Sequence, residues 1–200
     1  MPVIEAAQAR PDLKVMIGFS RRCESCFMMS LPALLIKCFL LVDESYREAK
    51  ARIDSGQLGK VYMIKSVTND QYDPSGFFVA YSKASGGIFI DCGIHDIDIS
   101  RWLLDVANPA GLANPKKQVS RVFASGLSVR HPELGDEGDC DNALAVVEYE
   151  NGTVCTFHLS RTAVHGHECS CEVFGTESKI VINGVSDGHQ GPRGQQLMRI

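Results

Sequence analysis

The sequence has no concentration of positive charge. Its 20 Lys and Arg residues are scattered among 24 Asp and Glu, for a net charge of −4. Nucleic-acid binding needs clustered cations facing phosphates, so no nucleic-acid partner is expected. The start, Met1-Pro2-Val3-Ile4-Glu5, lacks the basic and apolar stretches of a secretory leader. A cytoplasmic protein is expected. An uninterrupted bilayer-spanning run is also missing. Cys26 to Val42 is apolar apart from Ser30, Pro32 and Lys37, but it falls short of the about 20 apolar residues a spanning helix needs. No membrane partner is expected. What remains is ordinary for a globular chain: 44% apolar and 22% charged residues.

Eight cysteines are present. Without a leader, and set in apolar surroundings as Cys92 and Cys155 are, they read as reduced and mostly buried. Cys23-x-x-Cys26 has no second Cys or His pair at finger spacing, so it is a weak metal signal. His165-Gly-His167-Glu-Cys169-Ser-Cys171 looks richer in ligands. In a strand, however, all four donors would crowd one face, and no metal is expected there. The acidic cluster from Glu133 to Asp141 reads as a solvated loop.

Residues 3–10 read as the end of a helix, closed by Pro11. Leu13 to Phe19 is short, apolar and β-branched, and predicts a strand. Asp43 or Ser45 can cap a helix, Ser45 with Glu48 making a capping box, and Tyr46, Ala49 and Ile53 share one face of it. Val61 to Val67 is a second strand. One helix is predicted from about Asp91 to Leu104. In it Asp91, His95, Asp98 and Trp102 recur at steps of four, three and four, on one face. Beyond it the pattern is antiparallel sheet: Val119–Val129, Ala143–Tyr149, Val154–Ser160, Cys169–Phe174 and Lys179–Ile182. Asn151-Gly152 between two apolar strands predicts a hairpin, because both positions accept positive φ. Asp187 to Gln196 reads as loop or disordered tail.

Three segments together resemble the Gfo/Idh/MocA oxidoreductases, in their inositol 2-dehydrogenase-like branch. They are Val15-Met16-Ile17-Gly18-Phe19-Ser20-Arg21-Arg22, then Ser45-Tyr46-Arg47 through Gly59-Lys60-Val61 to Asp91-x-x-x-His95-Asp96-x-Asp98-x-x-Arg101-Trp102, and Glu172-Val173-Phe174-Gly175-Thr176-Glu177. The resemblance covers residues 1–22 and 43–185. It implies an α/β protein with an α+β C-terminal domain. That domain is a large, mostly antiparallel open sheet with helices on one face, preceded by a remnant of a Rossmann fold. Residues 1–22 would be the remnant, 23–42 an anomalous apolar insert without a functional role, 43–185 the substrate and oligomerisation domain, and 186–200 a loop or tail. The family's Gly-rich phosphate loop is missing. So is its Glu-Lys-Pro segment, whose lysine polarises the reacting hydroxyl.

The implied activity is NAD- or NADP-dependent oxidation of the CH–OH group of a polyol or sugar. A base must take the hydroxyl proton, and histidine suits because its ordinary pKa lies near neutrality. By resemblance His95 is that base and Asp91 its partner, also placed near substrate hydroxyls. Asp98 either supports the site or holds the helix against a strand. Arg21 and Arg22, just past a strand end, either meet cofactor phosphate and substrate or form a solvated pair. Alone, Asp-x-x-x-His is a weak signal, usually a surface or capping pair. The Gly86-Gly87-Ile88-Phe89-Ile90 and Asp96-Ile97-Asp98 context makes it specific. The expected chain is a truncated enzyme, inactive by itself and homo-oligomeric through its open sheet. The alternative is a non-catalytic oligomerisation module pairing with a full-length relative.

Overall fold

A computed structural model describes residues 2–10, 44–106, 118–186 and 197–199. The chain forms two compact units, Met1–Val42 and Asp43–Ile200. In the first, helix α1 spans Pro2–Ala9, as the sequence predicts. The strand expected from Leu13, the pair Arg21 and Arg22, and the apolar insert lie outside the described residues.

The second unit carries helices α2 (Glu44–Asp54), α3 (Phe77–Ser85), α4 (Ile88–Asp91) and α5 (Ile94–Leu103). Its strands are β1 (Val61–Gln71), β2 (Val119–Leu127), β3 (Asn142–Tyr149), β4 (Val154–Ala163), β5 (His167–Gly175), β6 (Lys179–Ser186) and β7 (Leu197–Arg199). They form one open sheet in the order β2-β3-β4-β1-β5-β6-β7. Only the central β1–β4 pair is parallel, and the other neighbours are antiparallel. The mostly antiparallel open sheet implied by the family resemblance is the fold observed.

Period-two alternation sets the register. Ile64 of β1, Cys155 and Phe157 of β4, Cys171 and Val173 of β5, and Ile180 and Ile182 of β6 are all buried. They pack with Tyr46 and Ala49 of α2 and with Ile99 and Leu103 of α5. Burying each large apolar side chain stabilises by about 1.5–3 kcal/mol. A one-residue slip would turn this whole set to the other face, so the pairing is strongly specified. The predicted face of α2 is correct: Tyr46 and Ala49 are buried and Ile53 packs against the same cluster. Ser45, read as a possible cap, lies inside α2 instead, because the helix begins at Glu44.

The hairpin predicted at Asn151-Gly152 joins β3 and β4. Asn151 does not take positive φ; Gly152 does, at 82°. Asn151 serves through its side chain, whose Oδ1 accepts the Thr153 N–H at 3.0 Å. Two further expectations change. The predicted tail contains β7, whose backbone pairs with β6. Residues 187–196 lie outside the described residues. The single helix expected from Asp91 to Leu104 is two helices, α4 and α5, joined at Cys92-Gly93. Both junction residues keep right-handed helical angles, yet the bonding slips: the Gly93 N–H donates to the Ile88 carbonyl, at 2.9 Å. A side chain at Gly93 would meet Leu159 Cδ1 of β4 at 2.7 Å. The close approach of helix and strand therefore requires glycine there.

Candidate active site

Strand β4 places Cys155, Phe157 and Leu159 on the buried face. The same alternation brings Arg161 to that face next. Its side chain has no exposed surface, and a cation removed from water must be paired. Nη1 donates to Asp139 Oδ2 at 2.8 Å and Nη2 donates to Asp91 Oδ2 at 3.0 Å. The guanidinium carbon also lies 5.2 Å from the Phe78 ring centroid. Burial alone would lower the Arg161 pKa, but the Asp139 and Asp91 carboxylates outweigh it and raise the value. Asp139 in turn accepts the Ile88 and Cys140 N–H groups on Oδ1, both at 2.8 Å. It thereby fixes the start of α4.

Asp91 ends α4 with its side chain 23% exposed. Its second oxygen lies 3.4 Å from the Tyr81 hydroxyl, which donates to it. One side of this carboxylate is held by a buried cation while the other reaches solvent. That arrangement leaves acceptor capacity for a ligand hydroxyl. His95 follows in the first turn of α5 and is half-buried. The expected orienting partner of His95 is thus itself oriented, by Arg161.

Asp98 is buried on α5. Asp96, two residues earlier on the helix and fully buried, ties α5 to β1. Asp96 accepts hydrogen bonds from Ser66 Oγ and, at 2.7 Å, from Thr68 Oγ1, both on β1. These bonds also explain why β1 turns two hydroxyl residues toward the helices.

The acidic loop is solvated at Glu133, Asp136 and Glu137, as expected, but not at its end. The Asp139 side chain is only 5% exposed, and Asp141 is fully buried. Asp141 accepts the N–H groups of Val129, Arg130 and His131 at 2.7 to 3.1 Å. Burial pushes its pKa up, but these bonds and Asn142 hold it below the ordinary carboxylate value. Arg161 was the residue missed in sequence. The signal was present as a charge falling in phase with three buried residues of a strand.

A cleft of about 480 Å³ lies between the Gly86–Phe89 turn and Ala124–Gly126 of β2. Its walls include Asp139 but neither Asp91 nor His95, so it is not where that pair would meet a ligand. Among the described residues, no group of three or more His, Cys, Asp or Glu is arranged to hold a metal ion.

The comparisons with known proteins bear on this geometry. Residues 46–181 match the Gfo/Idh/MocA C-terminal domain. The chain belongs to the Gfo/Idh/MocA family. It is 38% identical over 147 residues to the scyllo-inositol 2-dehydrogenase (NAD(+)) of Bacillus subtilis, covering 74% of this chain and 39% of that protein. It is 29% identical over 162 residues to the myo-inositol 2-dehydrogenase of Thermotoga maritima, covering 78% and 44%. A solved scyllo-inositol dehydrogenase from Lactobacillus casei, with bound NAD(H) and scyllo-inositol, aligns with a TM-score of 0.65 and 29% identity. That alignment covers 89% of this chain and 44% of the solved one. This Gfo/Idh/MocA chain thus spans about two fifths of the length of these relatives.

Among the described residues, no glycine-rich strand-to-helix turn of the kind that cradles a dinucleotide pyrophosphate is present. No Gly-x-Gly-x-x-Gly segment occurs in the sequence, and a pyrophosphate needs such a cradle at a helix start. At the passage from β1 to α3, Asp73 accepts the Ser75 N–H at 2.9 Å and Ser75 Oγ accepts the Phe77 N–H at 3.2 Å. A phosphate there would meet a carboxylate.

Proposed function

We propose that residues 43–185 form the substrate-side domain of an NAD(P)-dependent oxidoreductase acting on the CH–OH group of a polyol or sugar, inositol first among them. One observation carries this reading: Asp91, clamped by buried Arg161 yet partly open to solvent, ends α4 four residues before His95 in the first turn of α5. Similarity to inositol dehydrogenases supports the substrate class. In this reading His95 takes the proton of the reacting hydroxyl. Asp91 accepts hydrogen bonds from substrate hydroxyls and sets the sugar ring against His95. Arg161 holds Asp91 in place. Asp98 supports α5 beneath His95, and Arg21 and Arg22 meet cofactor phosphate or substrate.

NAD or NADP would be held by chain outside these 200 residues, so residues 1–200 are inactive alone. In this division residues 1–22 are the Rossmann remnant, 23–42 an insert without function, and 186–200 lie beyond the domain. Isothermal titration with NAD and with NADP tests the claim. No micromolar binding is expected, and micromolar binding by this chain would overturn it.

A second reading rests on the outer sheet face. Leu144 of β3 and Phe123 and Leu127 of β2 are 46%, 62% and 65% exposed. The register puts all three on that face. An apolar patch of this kind suits a protein partner. We place homo-oligomerisation, or pairing with a full-length relative, at this face. Size-exclusion of a mixture with such a relative should give a mixed oligomer; aggregation alone would mark a defective fragment.

A further inference from the structure

The His165–Cys171 stretch takes no part in the proposed dehydrogenase site, yet it builds a second constellation. Strands β1 and β5 pair antiparallel, with Thr68 opposite Cys169 and Asn69 opposite Glu168. This brings Asp70, near the end of β1, to His167 at the start of β5. His167 Nδ1 lies 3.0 Å from Asp70 Oδ1, and its Nε2 lies 3.2 Å from Cys169 Sγ. Thr68 Oγ1 is 3.8 Å from the same sulfur. Carboxylate, imidazole and thiol stand in line.

The carboxylate takes Nδ1–H, leaving Nε2 aimed at sulfur. Asp70 and then Cys169 push the His167 pKa up to about 10, against burial. With an acceptor at each ring nitrogen, the geometry favours the imidazolium, from which Nε2–H donates to sulfur. An imidazolium beside a sulfur favours the thiolate, the nucleophilic form. Other charges nearby are accounted for. Glu168 is engaged by Asn69, His165 and Ser170. Cys92, whose thiol feels Asp70, Asp96 and Cys169, is pushed up by burial.

Access separates this thiol from its neighbours. Cys92, Cys155 and Cys171 are buried, whereas Cys169 is partly exposed and in no disulfide. Its partners are open too, with the side chains of His167 and Asp70 45% and 32% exposed. Among the described residues no group of three or more His, Cys, Asp or Glu is arranged to hold a metal ion, so the line is read as a thiol site.

We propose that Asp70, His167 and Cys169 form a reactive-thiol site at which Cys169 is oxidised by hydroperoxides. The thiolate attacks one peroxide oxygen, the O–O bond breaks and an S–O bond forms. Sulfur is oxidised to the sulfenic acid and the peroxide is reduced. The His167 imidazolium gives its Nε2 proton to the departing oxygen, which leaves as water or an alcohol. The reading does not depend on the dehydrogenase assignment, since no coenzyme takes part.

Peptide-resolved mass spectrometry of the full chain under iodoacetamide at pH 7 tests it. Cys140 is the internal reference, partly exposed but pushed up by burial and by Asp139. Cys169 should alkylate about tenfold or more faster than Cys140. That advantage should vanish in urea. H167Q and D70N should slow Cys169 about tenfold or more and leave Cys140 unchanged. Hydrogen peroxide followed by dimedone should put a sulfenic adduct on Cys169. Should H167Q fail to fold, the wild-type comparison with Cys140 decides. Equal rates for Cys169 and Cys140, a Cys169 rate indifferent to H167Q, or the absence of a dimedone adduct would each overturn the proposal.

Discussion

Arg161 and His167 are both cations set between two acceptors, and they sit at different depths. Arg161 has no exposed side-chain surface and holds Asp91 and Asp139. His167 is 45% exposed and lies between Asp70 and Cys169. The same electrostatic arrangement serves two ends. In the interior, where water cannot screen or replace a partner, the ion cluster fixes geometry. Near the surface it leaves a reactive atom accessible. Depth rather than residue type separates a structural clamp from a reactive group.

The comparison breaks most sharply at Arg161. Arg161→Met should destabilise the domain by about 3–5 kcal/mol, because it strands a buried carboxylate. Urea denaturation checks this. A cost below about 1 kcal/mol would mean the clamp is screened like a surface pair. Next comes Asp141, a buried anion held by three N–H groups. Asp141→Asn should cost about 1–3 kcal/mol. The Asp141 pKa is depressed. Its stabilisation is therefore present at neutral pH and lost as pH falls through the folded value. Unfolding measured from pH 7 to pH 3 should show a shallower acid limb in the variant.

His167 has the opposite sign. Its pKa is raised, from 6.5 to about 10. Its contribution is full below about pH 6.5 and is lost as pH rises through about 10. H167Q should flatten the alkaline limb of stability. Exposure holds the change to no more than about 1 kcal/mol. The smallest effect is expected on the outer face. There Glu172 accepts from Lys65 at 3.0 Å and from Lys179. Glu172→Gln should cost about 0–1 kcal/mol and lose even that in high salt.

The sheet was legible because burial is periodic. Cys155, Phe157 and Leu159 alternate with Thr156, His158 and Ser160, so the strand and its inner face could be read directly. The helix pair was legible in composition and not in its break. Nothing local in Cys92-Gly93 announces the contact with Leu159 that sits against Gly93. The site was legible in Asp91 and His95, which a motif carries. It was not legible in Asp139, whose acidic neighbourhood looks like a solvated loop until Arg161 is placed beside it. Arg161 lies 70 residues along the chain from Asp91. Pairing across that separation is set by the sheet register, which one sequence does not disclose. The Asp70–His167–Cys169 line has the same origin: only the β1–β5 register joins its halves.

The central claim is that Asp91 and His95 form the substrate side of a polyol dehydrogenase. It is tested most directly by grafting residues 43–185 onto the N-terminal part of the Bacillus subtilis relative. NADH formation with inositol is then followed with and without H95Q. The account predicts inositol-dependent turnover that H95Q lowers by about 10²-fold or more in kcat. A folded graft with no inositol-dependent turnover, or with turnover indifferent to H95Q, would contradict it.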